Sequence, residues 1–181
     1  MDKNAQRDIA IIGGGIGGLT AALAFARQNA RVTIYEQAPA LTEVGAGLQI
    51  TPNGARVLNA LGLEKALGAS GITAQAVAPM DAISGKQITR FDLSAQTPAY
   101  RFYHRAALID VLARACSAAG VTVKLGTRIE MLRPDGSFEV DSVRIKPDLT
   151  IGADGLHSVV RGLINSAAKP FFTGQVAWRA L

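Results

Sequence analysis

Three glycines at fixed spacing and one acidic residue form the most informative pattern in the sequence. Gly13, Gly15 and Gly18 follow the spacing G-x-G-x-x-G, and Glu36 comes about 20 residues later. The first glycine permits a tight turn, the second lets a pyrophosphate approach the backbone, and the third lets a helix pack close to a strand. A carboxylate at the position of Glu36 can accept hydrogen bonds from the hydroxyls of an adenosine ribose. The pattern predicts a dinucleotide site, and the alternative is a tight strand–helix junction without a ligand.

The surrounding residues predict the strand–helix–strand unit that such a site needs. Residues 9–12 are apolar without interruption, which suits a strand buried on both faces of a parallel sheet. Residues 17–29 carry apolar side chains at helical spacing, and residues 31–36 return to β-branched and aromatic types. The helix N-terminus offers N–H groups and a partial positive charge to phosphates. Glu36 argues against a 2′-phosphorylated nucleotide, because the two negative charges would repel each other.

Composition narrows the class of protein. The chain has 181 residues, of which 49% are hydrophobic, and this excludes a disordered protein. No apolar run reaches the length of a membrane span and no signal peptide is visible, so a cytoplasmic protein is expected. Cys116 is the only cysteine, which leaves no disulfide framework and no cysteine-rich metal site. The net charge of +5 comes from scattered basic residues, which favours anionic small molecules over nucleic acid as partners.

The middle of the chain predicts further helices and strands. A helix opens near Pro52 and is interrupted by Gly62 and by the stretch from Gly68 to Gly71. Its apolar contacts are expected from Val57, Leu58, Leu61 and Leu63. Residues 72–100 predict an inserted antiparallel layer with a hairpin turn at Ser84 and Gly85. A helix over 103–120, a strand over 121–125, a hairpin at 134–136 and a strand over 147–152 complete the α/β pattern.

A second turn with polar side chains follows the last of these strands. Gly152, Asp154, Gly155, Ser158 and Arg161 bring a carboxylate and a guanidinium to the end of the sheet. Asp154 either faces a ligand or caps the helix that follows. His157, within the same turn, is interpreted as a loop residue rather than a catalytic base.

These motifs together resemble the FAD-dependent aromatic hydroxylases, single-component flavoprotein monooxygenases such as salicylate hydroxylase and p-hydroxybenzoate hydroxylase. The glycine pattern with Glu36 resembles the ADP-binding unit of that family, and residues 154–161 resemble its D-G-x-x-S-x-x-R signature. Residues 43–58, "EVGAGLQITPNGARVL", and residues 104–112, "HRAALIDVL", resemble the segments between them. Residues 174–181, "GQVAWRAL", are similar to the first strand of the substrate-domain sheet.

The resemblance implies a Rossmann-like FAD-binding fold and a monooxygenase that uses FAD, with NADH or NADPH as co-substrate, on a small aromatic substrate. It also implies that the backbone of residues 45–47 lines the flavin edge and that Arg105 reaches the FAD phosphate and ribityl chain. The residues expected to bind the cofactor are Gly13, Gly15, Ile16, Gly17, Gly18, Glu36, Gln37, Gly47, Arg105, Arg128, Asp154 and Gly155. No catalytic acid or base and no metal ligand is expected among the 181 residues.

Two departures from the family pattern shape the expected function. Some relatives carry a histidine that deprotonates the phenol two residues after the "GAG", where this sequence has Gln49. The second flavin motif of the family has no match either, so the C-terminal half of the family fold is expected to be missing. We expect a FAD-binding domain at 1–165, with 72–100 as its inserted layer, and the truncated start of a substrate-domain sheet at 166–181. The unpartnered strand predicts a homodimer or a disordered C-terminus, and the alternative function is a nucleotide-binding module without turnover.

Overall fold

A computed structural model describes residues 6–41, 47–165 and 170–176. The strands are β1 (Asp8–Ile12), β2 (Arg31–Tyr35), β3 (Gly47–Ile50), β4 (Ile72–Thr73), β5 (Ala76–Val77), β6 (Phe91–Asp92), β7 (Arg101–His104), β8 (Thr122–Lys124), β9 (Phe138–Val140), β10 (Val143–Ile145) and β11 (Leu149–Gly152). The helices are α1 (Ile16–Ala26), α2 (Pro52–Ala60), α3 (Glu64–Ser70), α4 (Arg105–Ala118) and α5 (Val159–Ile164). The chain divides into two compact units, one of residues 1–43 and 109–178 and the other of residues 44–108 and 179–181.

The first unit is built on a parallel four-stranded sheet with the order β11-β1-β2-β8. All three pairings in this sheet are parallel, and Ile11 of β1 stands between Ile34 of β2 and Ile151 of β11. Residues 9–12 are all buried, as expected for a strand covered on both faces. This confirms the predicted α/β class with a parallel sheet.

Helices α1 and α4 both contribute to the core of the first unit. The buried side chains of α1 are Leu19, Ala22 and Leu23, which follow the helical spacing seen in the sequence. In α4, the Sγ of Cys116 donates to the carbonyl oxygen of Leu19 at 3.2 Å and thereby joins the two helices. Burial raises the pKa of the Cys116 thiol to about 11, which keeps the sulfur protonated and unreactive at neutral pH. The interpretation of Cys116 as a buried small residue is confirmed.

A hairpin of β9 and β10 completes the first unit. Phe138 is fully buried and packs edge-on against Tyr35, with ring centroids 5.0 Å apart. The predicted turn at residues 134–136 is present, because the amide of Arg133 bonds to the carbonyl of Ser137 and Gly136 adopts a φ of +78°.

The second unit contains an antiparallel sheet with the order β3-β7-β4 and a separate ribbon of β5 and β6. The predicted hairpin at Ser84 and Gly85 is present, with Met80 bridged to Gln87 across it. The inserted region is antiparallel as expected, although its strands have only two residues each and belong to two sheets. The domain limits 1–165 and 166–181 stay a prediction.

Gly62 separates α2 from α3 as predicted, and α3 ends at Ser70, within the predicted stretch from Gly68 to Gly71. One expectation for these helices was wrong. Val57 is 55% exposed, because α2 turns Ala55 and Leu58 inward instead. The predicted strand at 174–181 falls partly outside the described residues, and residues 174–176 form no strand. None of the five helices in the described residues has the length and hydropathy needed to cross a membrane.

Candidate nucleotide-binding site

At two of the three predicted glycine positions in the turn between β1 and α1, no residue larger than glycine fits. Gly13 has a φ of +106°, and a Cβ there would overlap the carbonyl of Ala153. A Cβ on Gly18 would overlap the carbonyl oxygen of Gly13, because the first turn of the helix lies directly against the strand end. The roles predicted for Gly13 and Gly18, a tight turn and a close helix–strand approach, are therefore confirmed as local geometry.

The N-terminus of α1 carries no side-chain cap. Its N-cap residue is Gly15, with extended backbone, and no acidic side chain occurs in the first turn. The first helical hydrogen bond runs from the amide of Leu19 to the carbonyl of Gly15 at 2.9 Å. The amides of Ile16 and Gly17 precede that bond, and a Cβ on Gly17 would meet no atom of residues 6–41, 47–165 and 170–176 within 4 Å. Among these residues nothing covers the helix end, which presents N–H groups and a partial positive charge as an anion site requires.

The carboxylate of Glu36 is held in place by two backbone amides. Its Oε2 accepts from the amide of Gly14 at 2.6 Å, and its Oε1 accepts from the amide of Ala38 at 2.8 Å. The side chain is half-buried directly after β2. Each carboxylate oxygen can accept a second hydrogen bond, so the group remains able to bind two hydroxyls. Gln37, the next predicted residue, is exposed.

Sheet order brings the glycine turn and the second turn together. The chain leaves β1 towards β2 on one side, whereas β11 lies on the other side, so β1 marks a switch point at the carboxyl ends of the strands. The amide of Ala153 bonds to the carbonyl of Ile12 at 2.7 Å, and a Cβ on Gly13 would lie 3.0 Å from the Cα of Asp154. Open α/β sheets bind their ligands at such a crevice.

The second turn is closed by its own side chains. Asp154 Oδ1 accepts from the Ser158 hydroxyl at 2.5 Å, and Oδ2 accepts from the amides of Val159 and Val160 at 2.7 and 3.2 Å. The Ser158 hydroxyl oxygen accepts from the amide of Arg161 at 2.9 Å and caps α5. Arg161 Nη2 donates to the carbonyl of Leu156 at 2.7 Å. The capping alternative for Asp154 is therefore what the structure shows, and a cofactor contact by Asp154 or Gly155 stays a prediction.

The remaining predicted residues lie in less informative surroundings. In the second unit, Gly47 is paired with His104 across β3 and β7, and Arg105 is the exposed first residue of α4. In the first unit, Arg128 is exposed and follows Thr127, whose amide bonds to the carbonyl of Glu36 at 2.8 Å. Residues 45 and 46 of the expected flavin edge lie outside the described residues.

Gln49 and the two histidines complete the set of candidates. The Oε1 of Gln49 accepts from the Tyr100 hydroxyl at 2.5 Å. His104 and His157 are both exposed. Across residues 6–41, 47–165 and 170–176, no three histidine, cysteine, aspartate or glutamate side chains are grouped as metal ligands would be.

Gly14 is a site residue that the sequence analysis missed. Its amide anchors Glu36, and a Cβ on it would lie 2.8 Å from Leu41 and 3.1 Å from the Cβ of Glu36. The unbroken glycine run from 13 to 15 was the available signal, because the spacing pattern alone leaves position 14 unrestricted.

A glycine turn, an uncapped helix and an anchored acidic residue at a sheet switch point define the Rossmann class of nucleotide-binding folds. Over residues 6–178 the chain matches the family described as "FAD binding domain". The chain belongs to this family, and FAD is therefore the nucleotide that its site is built for.

The similar proteins match this chain over nearly its whole length. It is 36% identical to 3-amino-4-hydroxybenzoate 2-monooxygenase of Streptomyces cremeus, over 96% of this chain and 45% of the relative. It is 33% identical to 3-hydroxybenzoate 6-hydroxylase 1 of Aquipseudomonas alcaligenes, over 97% of this chain and 47% of the relative. The chain thus spans a little under half of the length of these curated relatives.

A solved structure supports the same fold. The tetrameric form of 2-methyl-3-hydroxypyridine-5-carboxylic acid oxygenase superposes with a TM-score of 0.81 at 28% identity, over 89% of this chain and 43% of the other. The resemblance to flavoprotein aromatic hydroxylases is confirmed at the level of the family.

Proposed function

We propose that this chain forms the FAD-binding part of a monooxygenase that hydroxylates a small aromatic compound with electrons from NADH or NADPH. The observation that carries the proposal is the carboxylate of Glu36, fixed by the amides of Gly14 and Ala38 beside an uncapped helix. The similar proteins support the aromatic substrate, because the names of two of them specify a monooxygenase and a hydroxylase that act on hydroxybenzoates.

The described residues fit the ADP half of FAD. Gly13 and Gly18 leave a cradle that a Cβ would fill, and the amides at the start of α1 face the space where a pyrophosphate would lie. Glu36 would accept hydrogen bonds from the ribose hydroxyls with its remaining lone pairs. The other residues proposed to hold the cofactor are Gly15, Ile16, Gly17, Gln37, Gly47, Arg105, Arg128, Asp154 and Gly155.

FAD supplies the redox and oxygen chemistry of such a reaction when it is bound. The chain itself would bind and orient the cofactor. Gln49 cannot take up a proton at neutral pH, so a substrate that depends on a histidine at this position is disfavoured. We therefore favour an aromatic substrate that needs no base at position 49 for its activation.

Purification of the 181-residue chain with FAD tests the proposal directly. We expect the protein to retain FAD after gel filtration, with the visible absorbance of a bound flavin. If the chain instead retained NAD and excluded FAD, the assignment would be wrong. Oxygen uptake driven by NADH or NADPH, measured with a panel of hydroxybenzoates, then separates an active monooxygenase from a binding module without turnover. The module is the second candidate, because the residues whose geometry fits the cofactor, Gly13, Gly18 and Glu36, serve binding alone.

Arg105 gives a more specific test of the cofactor site. Arg105 is the first residue of α4, where a cation opposes the helix dipole and where a guanidinium could pair with a cofactor phosphate. Arg105→Met should weaken FAD retention without lowering the melting temperature of the FAD-free chain. Arg114→Met is the matched control, because Arg114 lies on the same helix and pairs with Asp110. Equal FAD retention in the two variants would show that Arg105 has no cofactor role. A cytoplasmic location and a homodimer stay predictions from the sequence.

A further inference from the structure

A small cavity lies within the second unit, on the opposite face of the β3-β7-β4 sheet from Gln49. Its volume is about 80 Å³, and none of the residues expected to bind FAD lines it. Alternation along β7 directs Arg101 and Tyr103 to this face and Phe102, which is paired with Gln49, to the other. Ile50, Ala55, Leu67 and Pro98 form apolar parts of its wall. The cavity is smaller than the engineered cavity of about 150 Å³ that admits benzene, so its ligand must be smaller than an aromatic ring.

Arg101 brings unused hydrogen-bond donors to this cavity. Its Nη1 donates to the carbonyl oxygens of Gly68 at 3.2 Å and Gly71 at 3.4 Å, which fixes the guanidinium beneath the end of α3. In the part of the chain that the structure describes, Nε and Nη2 have no acceptor. These two groups form the edge of a guanidinium that binds a carboxylate through two parallel hydrogen bonds.

Tyr103 adds a second hydrogen-bond donor. The residue is 4% exposed, and its hydroxyl makes no hydrogen bond within the described residues. The ring is held tightly, because a Cβ on Gly71 would lie 2.7 Å from its Cζ. Burial raises the pKa of Tyr103 and the Arg101 charge partly opposes this, so the hydroxyl is protonated and able to donate at neutral pH. A buried donor without an acceptor costs free energy, and a ligand oxygen in the cavity would remove that cost.

We propose that this cavity is an accessory site for a small aliphatic monocarboxylate, bound by Arg101 and by the hydroxyl of Tyr103. The apolar wall takes the short hydrocarbon tail. Glu64 also lines the cavity, and its negative charge opposes that of any anion there, so a ligand with one negative charge is favoured over a ligand with two. The proposal does not depend on the proposed function, because the cofactor residues lie outside the cavity.

Titration of the ¹⁵N-labelled chain with propionate, followed by amide chemical shifts, tests the site. Saturable shifts are expected at residues lining the cavity, such as Ile50 and Leu67. Propionamide has the same shape without the charge, and its affinity should be lower by about tenfold or more. Equal shifts with the two compounds, or no saturable shift at these amides, would overturn the proposal.

Variants then assign the donors. Arg101→Lys and Tyr103→Phe should each weaken propionate binding about tenfold, because each removes hydrogen bonds to a charged group. Arg90→Lys and Tyr100→Phe are the matched controls, since neither residue lines the cavity. Tyr103→Phe keeps the ring and its packing, so an unchanged melting temperature would show that the fold is intact. Propionate affinity that is the same in the variants and the controls would remove Arg101 and Tyr103 from the site. Retention of FAD is measured separately and is not expected to follow either result.

Discussion

Two adjacent strands of the parallel sheet, β1 and β11, are each followed by a glycine turn and a helix, but the N-termini of the two helices are capped differently. After β1 the chain turns at Gly13, with a φ of +106°, and enters α1 through Gly15 without any side-chain cap. After β11 it turns at Gly155, with a φ of +77°, and enters α5 through the hydroxyl cap of Ser158. The carboxylate of Asp154 takes up two further amides of α5.

The difference lies in how the amides at each helix end are satisfied. At α5 the donors at the helix end are satisfied by the chain's own oxygens, which stabilises the turn by about 1 kcal/mol for a typical cap. At α1 that stabilisation is absent, and Glu36 bonds to Gly14 ahead of the helix instead of to the helix amides. An uncapped helix end at a sheet switch point suits the binding of a pyrophosphate, whereas the amides of the capped helix beside it already have acceptors.

The largest effect is expected from closing the gap between β1 and α1. In Gly18→Ala the new Cβ overlaps the carbonyl oxygen of Gly13, so α1 must move away from the strand end. We expect a loss of about 3 kcal/mol or more in the free energy of unfolding, together with loss of FAD. Urea denaturation and FAD titration measure the two effects.

Gly17→Ala is the control for that substitution. Its Cβ would meet no atom within 4 Å in the part of the chain that the structure describes, so we expect the fold to be retained and stabilised by up to about 1 kcal/mol. Any loss of FAD in Gly17→Ala then reports on the ligand and not on folding. Equal destabilisation by the two alanines would refute the close packing of Gly18.

The next largest effect is expected at the open junction from Glu36→Gln. The amide keeps one acceptor oxygen and loses the negative charge, so either the bond to Gly14 or the bond to Ala38 must be given up. FAD affinity should fall by about 1.5–3 kcal/mol, as is typical for hydrogen bonds to a charged group. Isothermal titration calorimetry measures this change. An unchanged dissociation constant would remove Glu36 from the cofactor site.

At the closed junction between β11 and α5, a substitution is expected to lower the stability of the chain and not its affinity for FAD. Asp154→Ala removes the acceptors of the Val159 and Val160 amides and should cost about 0.5–2 kcal/mol of unfolding free energy. If Asp154 acts only as a cap, FAD affinity measured below the unfolding transition stays unchanged. A loss of FAD affinity similar to that of Glu36→Gln would instead give Asp154 a direct cofactor role.

The sequence predicted the open junction well because its determinants are local. Gly13, Gly18 and Glu36 occupy positions where a turn, a close approach and a strand end each restrict the residue type. The closure of the second turn could not be decided in advance, because Asp154 has the same residue type whether it binds a ligand or caps a helix. Only the position of the amides of α5 distinguishes the two roles.

The expectation that failed concerns which side chains of α2 are buried. Val57 has a suitable residue type for the core, but the orientation of α2 is set by the neighbours of Ala55 and Leu58. Gly68 lies at an exposed position of α3, two residues before the helix ends at Ser70, and Leu67 provides the buried contact. A cost of about 1 kcal/mol for a glycine in a helix is small enough for such packing to override.

The smallest effect is expected from a substitution of Asp135, whose carboxylate closes a hairpin turn and not a strand–helix junction. Asp135 Oδ1 accepts from the hydroxyl of Ser137 at 2.6 Å and from its amide at 3.0 Å, as Asp154 does with Ser158 and the α5 amides. The hydrogen bonds from Ser137, aided by the charges of Arg144 and Lys146, lower the pKa of Asp135 from 3.8 to about 2. Because the pKa is lower in the folded chain, this contribution to stability is present above pH 3.8 and is lost as the pH falls through about 2.

Asp135→Asn should therefore reduce the free energy of unfolding at pH 5, and the difference from the unsubstituted chain should narrow as the pH approaches about 2. Asp141→Asn is the control, because Asp141 is an exposed carboxylate on the same hairpin and its φ of +49° is one that asparagine also tolerates. Urea denaturation at several pH values measures the difference for both variants. If the difference for Asp135→Asn stayed constant with pH, the bonds from Ser137 would not favour the ionised carboxylate. The same pH series on Asp154→Ala then shows whether the closed junction depends on ionisation in the way this simple turn does.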